Sequence, residues 1–224
     1  MGQNDRLYTP TFFLSLLVNF LIGMNFTNSA VLPLYVSELG GSAATIGLFM
    51  GTAAVAAVVA RPLIGTMLDR FGAKPVLIAG ALLISLPPLG YWALLDAGEL
   101  TTWVYVLRVF HGFGFGAHFS AFFSLAASTS PPERRNESIA MYGISGLAAH
   151  LVGPHLGETI LGSHGLPGFF LFITVFGLLG VLTILFINPP KPEKNGNDSP
   201  SILTSTLKLL SCRPMLLPFS LAYS

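Results

Sequence analysis

Gly65-Thr66-Met67-Leu68-Asp69-Arg70-Phe71-Gly72-Ala73-Lys74 is a short, charged, glycine-punctuated stretch between two long apolar segments. Charge is scarce elsewhere: only 9% of the residues are charged, against 52% hydrophobic. A polar link this tight joins its flanking helices as an antiparallel hairpin, and two helices this apolar form that hairpin across a bilayer. A soluble domain carries about 25% charged residues. This chain has too few to cover a folded surface, so lipid is its solvent over most of its area. The mean hydropathy of +0.70 agrees.

Working outward from this turn, apolar stretches fall at 11–36, 44–68, 75–95, 101–127, 137–161 and 166–188. Each exceeds the roughly 20 residues that cross about 30 Å of hydrocarbon. The first is too long for a signal-peptide core of about 7–15 residues and reads as a span. Between the stretches lie Gly40-Gly41, the Asp69–Gly72 turn, Asp96-Ala97-Gly98, Pro131-Pro132, Gly165 to Gly168 and Pro189-Pro190. With the N-terminus inside, Arg6, Arg70, Lys74, Arg134, Arg135, Lys191, Lys194, Lys208 and Arg213 all lie on the inner face. The outer links 37–43, 96–100 and 162–165 hold Glu38, Asp96 and Glu99 and no lysine or arginine. This is the positive-inside pattern, and it puts the N-terminus in the cytoplasm of a plasma (inner) membrane protein.

The fold class read from this pattern is an all-α integral membrane protein with six transmembrane helices in residues 1–190. A polar linker, 191–202, follows. Residues 203–224 begin a seventh apolar segment, and its last ten residues, from Met215, are too few to cross. They read as the start of a truncated seventh helix. A lone cysteine, Cys212, excludes a disulfide framework or a cysteine metal cluster within one chain. A net charge of +1 without a basic patch argues against nucleic acid.

Three motifs carry a resemblance. The pattern G-x-x-x-D-R-x-G-x-K at Gly65, Asp69, Arg70, Gly72 and Lys74 resembles the loop between the second and third helices of major facilitator superfamily transporters. Arg108, followed by Gly112 and Gly114, looks like that family's fourth-helix pattern. Gly153-Pro154-His155-Leu156-Gly157 is similar to the core of its fifth-helix antiporter motif. There the chain departs from the family: Ala140 and Ala149 stand upstream where further glycines belong, and Glu158 follows where the motif ends in Gly-Gly. The resemblance covers residues 1 to about 190, the N-terminal six-helix half of a fold built from two such halves, each of two inverted three-helix repeats. An offset of 93 aligns Gly23, Asn25 and Phe26 with Gly116, His118 and Phe119, as a three-plus-three repeat would.

Several residues are candidates for chemistry. Arg108 sits about eight residues inside its span, where an unpaired guanidinium costs several kcal/mol. It faces either a water-filled cavity with a partner or, by snorkelling, the outer headgroups. At 100° per residue, His111 and His118 fall within about 80° of it, with glycines and alanines on the opposite side for packing. His111, His118, His150 and His155 titrate near neutral pH when unperturbed; each is a proton carrier or a hydrogen-bonded structural residue. Glu158 lies three residues after His155 and is a partner for it or for Arg108, a proton carrier, or an interfacial carboxylate. Asn19, Asn25 and Asn28 give the first span a polar face. Asn25 and Asn28 are candidates for substrate contact, with interhelical bonding as the alternative. Arg61 reads as support for the Asp69 turn, and Ala53, Ala54, Ala56, Ala57 and Ala60 as a close-packing surface.

The resemblance implies that Asp69 latches two halves together at the cytoplasmic face, with Arg70 and Lys74 orienting it or facing anionic headgroups. It also implies alternating-access transport of a small organic solute, as proton-coupled efflux, with no cofactor and no metal. Partners are then the bilayer, the substrate, protons, and a C-terminal six-helix half or a second copy. A homodimeric half-transporter and a non-transporting membrane fragment are the alternatives. No catalytic constellation appears at useful spacing, so an enzyme is disfavoured.

Overall fold

The computed structural model describes residues 7–97 and 100–188. Arg6, Glu99, the linker 191–202 and the segment 203–224 with Cys212 lie outside the described residues. Every regular element among the described residues is helical. Helix α1 (Pro10–Asn28) starts where the Thr9 hydroxyl accepts the Phe12 N–H at 3.2 Å, with Pro10 in its first turn. Both are N-terminal devices: the hydroxyl satisfies one orphan donor, and proline has no N–H to leave orphaned. A 3-10 turn, Ser29–Val31, leads into α2 (Leu32–Glu38). Ser42 caps α3 (Ala43–Phe71) in the same way.

Helix α3 ends at Gly72, whose φ of 81° lies in the left-handed region that glycine alone enters cheaply. The chain turns at once into α4 (Ala73–Ser85). Pro87-Pro88 interrupts the next apolar stretch, because prolines withhold two backbone donors, and α5 (Pro87–Ala93) follows. Helix α6 runs Thr102–Thr129 and α7 runs Arg135–Leu185. Straight, 51 residues would extend about 77 Å, well beyond one bilayer crossing. The helical path breaks at Gly165, with φ 66° and ψ −168°, which divides α7 into two rods.

Four stretches, Pro10–Glu38, Ala43–Phe71, Ala73–Ala97 and Pro132–Leu185, are long and apolar enough to cross a membrane. Helix α6, at 28 residues, is long enough too but carries Arg108, His111 and His118. The outer surface is oily. On α3, Leu48, Val55, Val58, Val59 and Leu63 are exposed, while Phe49, Ala53, Ala56, Ala60 and Ile64 face inward. Leu151 on α7 is 79% exposed. An apolar exterior of this extent is stable only against lipid.

Because lipid offers no hydrophobic drive to bring helices together, packing and hydrogen bonds hold the bundle. Helix α1 and the rod of α7 before Gly165 run side by side in parallel. The Ser15 and Tyr142 hydroxyls lie 2.6 Å apart, Asn19 Nδ2 donates to the Tyr142 carbonyl at 2.9 Å, and Ser145 Oγ donates to the Leu16 carbonyl at 2.7 Å. Further along the same seam, a β-carbon at Gly153 would strike the Thr27 hydroxyl, and one at Gly157 would strike Asn28 Oδ1. Helices α3 and α6 make a second parallel seam: a β-carbon at Gly112 would strike the Ala53 carbonyl oxygen, and one at Gly116 would lie 3.0 Å from that of Ala57. The partner position is 59 residues earlier each time. Two aromatic-rich cores fill the ends. One joins Phe12, Leu77, Phe122 and Tyr142; the other joins Tyr35, Phe49, Tyr91, Phe169 and Phe170.

Gly157→Ala is expected to lower the stability of the detergent-solubilised chain by about 1–3 kcal/mol, the usual result of overpacking. Gly157→Ala with Asn28→Ala should recover most of that loss, since the collision is with the Asn28 side chain. Thermal unfolding followed by circular dichroism measures both; equal losses in the single and double variants would disprove the contact.

Candidate functional site

Arg108 is the only cation in the described part of the bundle core, 2% exposed on α6. The ridge that carries it is the one that carries Gly112 and Gly116, since steps of four residues advance only about 40° around a helix. It therefore points at α3, on the glycine side of α6 and not opposite to it. Its guanidinium carbon stands 4.9 Å from the centre of the Phe49 ring, within cation–π range. Nε donates to the Phe49 carbonyl, one terminal nitrogen to Met50 Sδ and the other to His111 Nδ1, all at 3.4 Å. A guanidinium only donates, so Nδ1 of His111 is the acceptor, and a neutral ring carries its proton on Nε2. No carboxylate is paired with Arg108 among the described residues, where the one ion pair joins Arg134 to Glu137.

Beside Arg108 opens a cavity of about 530 Å³ between α1, α3 and α6. Phe26 and Ser29 close one side; Met50, Ala53, Ala54, Ala57 and Arg61 of α3 form the second. The third is α6: Arg108, Phe115, Gly116, Phe119, Ser120 and Phe123. The wall is a mostly aromatic and alanine surface with a guanidinium toward each end. Arg61 thus lies on the cavity wall, about 12 Å of helix before Asp69, and makes no hydrogen bond or ion pair with the turn among the described residues. Sequence reasoning did not place Arg61, or these particular phenylalanines of α6, on a cavity wall. Signals for both existed: 50, 54, 57 and 61 share one face of α3, and Phe115, Phe119 and Phe123 repeat every four residues on α6.

The other candidates scatter. His111 stacks on Phe115 with ring centres 4.5 Å apart and meets Tyr91 at 6.2 Å. His118 is buried against Phe122 on the side of α6 that packs on Gly80 of α4. Neither lines the cavity. Asn25 donates to the Ile173 carbonyl at 3.1 Å and Asn28 to the Met24 carbonyl at 2.7 Å, both buried. His150 is exposed, with Nδ1 2.9 Å from the Gly146 carbonyl, and its ring approaches Phe26. His155 and Glu158 are exposed, and no hydrogen bond or ion pair joins them.

At the turn, Asp69 and Arg70 are exposed, Arg70 lying over the Phe71 ring. Gly65 is half-buried and Gly72 fully so. Lys74 Nζ donates to the Leu185 carbonyl at 2.9 Å, a cation at the negative end of α7. The link between α6 and α7 is tied down nearby: Arg134 forks onto Glu137, which accepts the Tyr8 hydroxyl at 2.6 Å.

An apolar exterior, long helices joined by short polar turns and an open cavity lined by three of those helices define an integral membrane protein. The family model described as Major Facilitator Superfamily matches residues 13–224, and the chain belongs to that family. It is 24% identical over 198 residues to the quinolone resistance protein NorA of Staphylococcus aureus strain MRSA252, covering 86% of this chain and 50% of the relative. It is 25% identical over 175 residues to the multi-drug resistance efflux pump PmrA homolog of Lactococcus lactis strain IL1403, covering 75% and 42% respectively. The chain thus spans about half the length of the curated relatives it matches.

If the cavity is open to water, cysteines placed on its wall will react and those on the far side of α6 will not. With Cys212 replaced by serine, Arg61→Cys and Ser120→Cys should be labelled by a membrane-impermeant maleimide about tenfold faster than His118→Cys, in line with thiolate access controlling the rate. Equal labelling at the three positions would refute the orientation of α6.

Proposed function

We propose that this chain forms the N-terminal half of a secondary transporter that exports a small organic solute by alternating access, coupled to protons. The observation that carries this reading is the cavity between α1, α3 and α6 with a buried, carboxylate-free guanidinium on its wall. Family membership and likeness to two proteins named for drug resistance and efflux support it.

In this reading the six spans are α1 with α2, α3, α4 with α5, α6, and the two rods of α7 on either side of Gly165. They form a three-plus-three set with the N-terminus in the cytoplasm. One wall of a transport path needs an opposing wall, supplied by a C-terminal six-helix half or a second copy. Solute enters between the walls and meets the aromatic surface of α6. Arg108, backed by His111, serves as the polar group toward the outer end of that surface, and Arg61 lies toward the inner end. Asn25, Asn28, His118, His150, His155 and Glu158 remain candidates for the solute or proton path. Gly153, Pro154 and Gly157 keep α7 close against α1. The exposed Asp69 and Arg70 latch onto the opposing wall, while Gly65, Gly72 and Lys74 hold the turn that presents them.

Everted vesicles bearing this chain with a C-terminal half should accumulate a fluorescent dye when a proton gradient is imposed and lose it when the gradient is collapsed. Arg108→Ala should lower the rate about tenfold or more with protein levels unchanged, a loss read directly as a free-energy difference. Accumulation that ignores the gradient would exclude proton coupling, and an unaffected Arg108→Ala variant would remove the guanidinium from the path.

A further inference from the structure

The cavity wall carries two cations, Arg61 and Arg108, and no anion. None of the described carboxylates, Glu38, Asp69, Asp96, Glu133, Glu137 and Glu158, is part of it. Arg61 makes no hydrogen bond or ion pair among the described residues, although it sits in a chain where 9% of residues are charged. Arg108 has contacts, but weak ones. Two donors reach the Phe49 carbonyl and His111 Nδ1 at 3.4 Å, the far limit of a hydrogen bond, a third meets the weakly accepting Met50 Sδ, and none of the acceptors is charged. A guanidinium has five N–H donors, so two are not used by these contacts, and the Tyr91 hydroxyl lies beside the group.

The spacing of these cations follows from the α3–α6 seam. Arg108 lies level with Phe49, Gly112 with Ala53 and Gly116 with Ala57, so Ser120 lies level with Arg61. Twelve residues of α3 separate the two levels, about 18 Å along the axis. Between these levels lie Phe115 and Phe119 of α6, and Phe26 and Phe123 extend the same apolar wall. A small inorganic anion would touch one arginine and leave the stripe bare. A cationic solute would meet like charge at both ends of the wall, at the exposed Arg61 and at the buried Arg108, where screening is weaker.

We infer that the cavity selects an amphipathic organic anion, an aromatic or aliphatic body bearing an acidic group, with Arg61 and Arg108 as two separate stations for that group. The body lies on the phenylalanine stripe, and the acid is held at one arginine or the other. Arginine suits this task because its planar fork accepts a carboxylate or phosphate through two parallel bonds. The assignment deepens the transport reading above by naming the charge of the solute, yet binding to this wall does not require that transport occur. The same chemistry is offered by a soluble acid and by the headgroup of an anionic lipid.

The test measures binding and flux separately. The 224-residue chain, purified into nanodiscs of phosphatidylcholine, is titrated with radiolabelled naphthylacetate and with naphthylethylamine, which share a ring and differ in charge. The acid should bind about tenfold more tightly than the amine, the scale of one charge-assisted contact. Arg61→Gln should weaken the acid about fivefold or more, while Arg61→Lys, which keeps the charge but not the fork, should fall in between. Unchanged thermal unfolding of both variants shows that the fold is intact.

Amine binding as tight as acid binding, no binding of either compound, or an acid affinity within about twofold of the native value in Arg61→Gln, overturns the assignment. Displacement of the labelled acid by added phosphatidylglycerol supports the assignment with a lipid as the source of the anion; resistance to displacement supports it with a soluble acid. Flux in the dye assay decides the other question. Acid bound without transport by the completed protein overturns the export reading and keeps the anion site, and transport of the amine alone does the reverse.

Discussion

The close parallel approach of α3 and α6 is the constraint on which the candidate site depends. At Gly112 a single methyl group would collide with the backbone of Ala53, and only backbones this near let Arg108 reach the Phe49 carbonyl on the neighbouring helix. In lipid the alternatives for that guanidinium are poor, because nothing outside the bundle solvates it. Small residues therefore do two things at once. They supply the packing that replaces the hydrophobic effect between helices, and they put a donor-rich side chain against a carbonyl, a ring face and a thioether. The neighbouring seam between α1 and α7 follows the same rule, with Gly153 and Gly157 making room for Thr27 and Asn28.

Much of this was legible in the sequence, for a physical reason. Apolar runs with glycine or proline at their ends give helices in lipid almost by necessity, since backbone groups must be satisfied within the segment. The helix boundary at Gly72 and the break at Gly165 both fall in links that the sequence marks with glycine, and each glycine has positive φ. Thr9 with Pro10, and Ser42, likewise mark helix starts. What the sequence does not disclose is azimuth. A bundle helix is apolar all round, so period alone does not say which face meets a neighbour and which meets a cavity. Arg61 was assigned to the turn because of its nearness in sequence, while α3 turns it toward Phe119 and Ser120. Arg108 was set opposite the glycines of its helix, while a four-residue step keeps it beside them.

Long side chains deceive in a second way. Lys74 belongs by sequence to the charged turn, yet its ammonium reaches the last turn of α7 and caps the Leu185 carbonyl. That contact joins residues 111 positions apart, and no local pattern encodes it. The asparagines of α1 behave similarly. Asn19 and Asn25 each donate to a carbonyl of α7, one on either side of the Gly165 break. Both rods of α7 are therefore stitched to α1 by polar bonds, in a setting where hydrogen bonds between helices are among the few specific forces available.

The weakness of the contacts around Arg108 bears on what the site can do. A buried ion pair would fix the guanidinium firmly, since breaking such a pair strands a charge. A neutral carbonyl, a sulphur and an imidazole, each at 3.4 Å, hold it against lipid without quenching its charge. The Phe49 face adds attraction from a group that forms no directional bond. The arrangement satisfies the cation well enough to keep it inside and loosely enough to leave it reactive toward an incoming partner. Under the alternating-access reading proposed above, strong binding of one state would slow every later step, because the site must release what it has taken. A guanidinium bound by weak neutral contacts meets both demands, and a carboxylate at the same place would meet only the first.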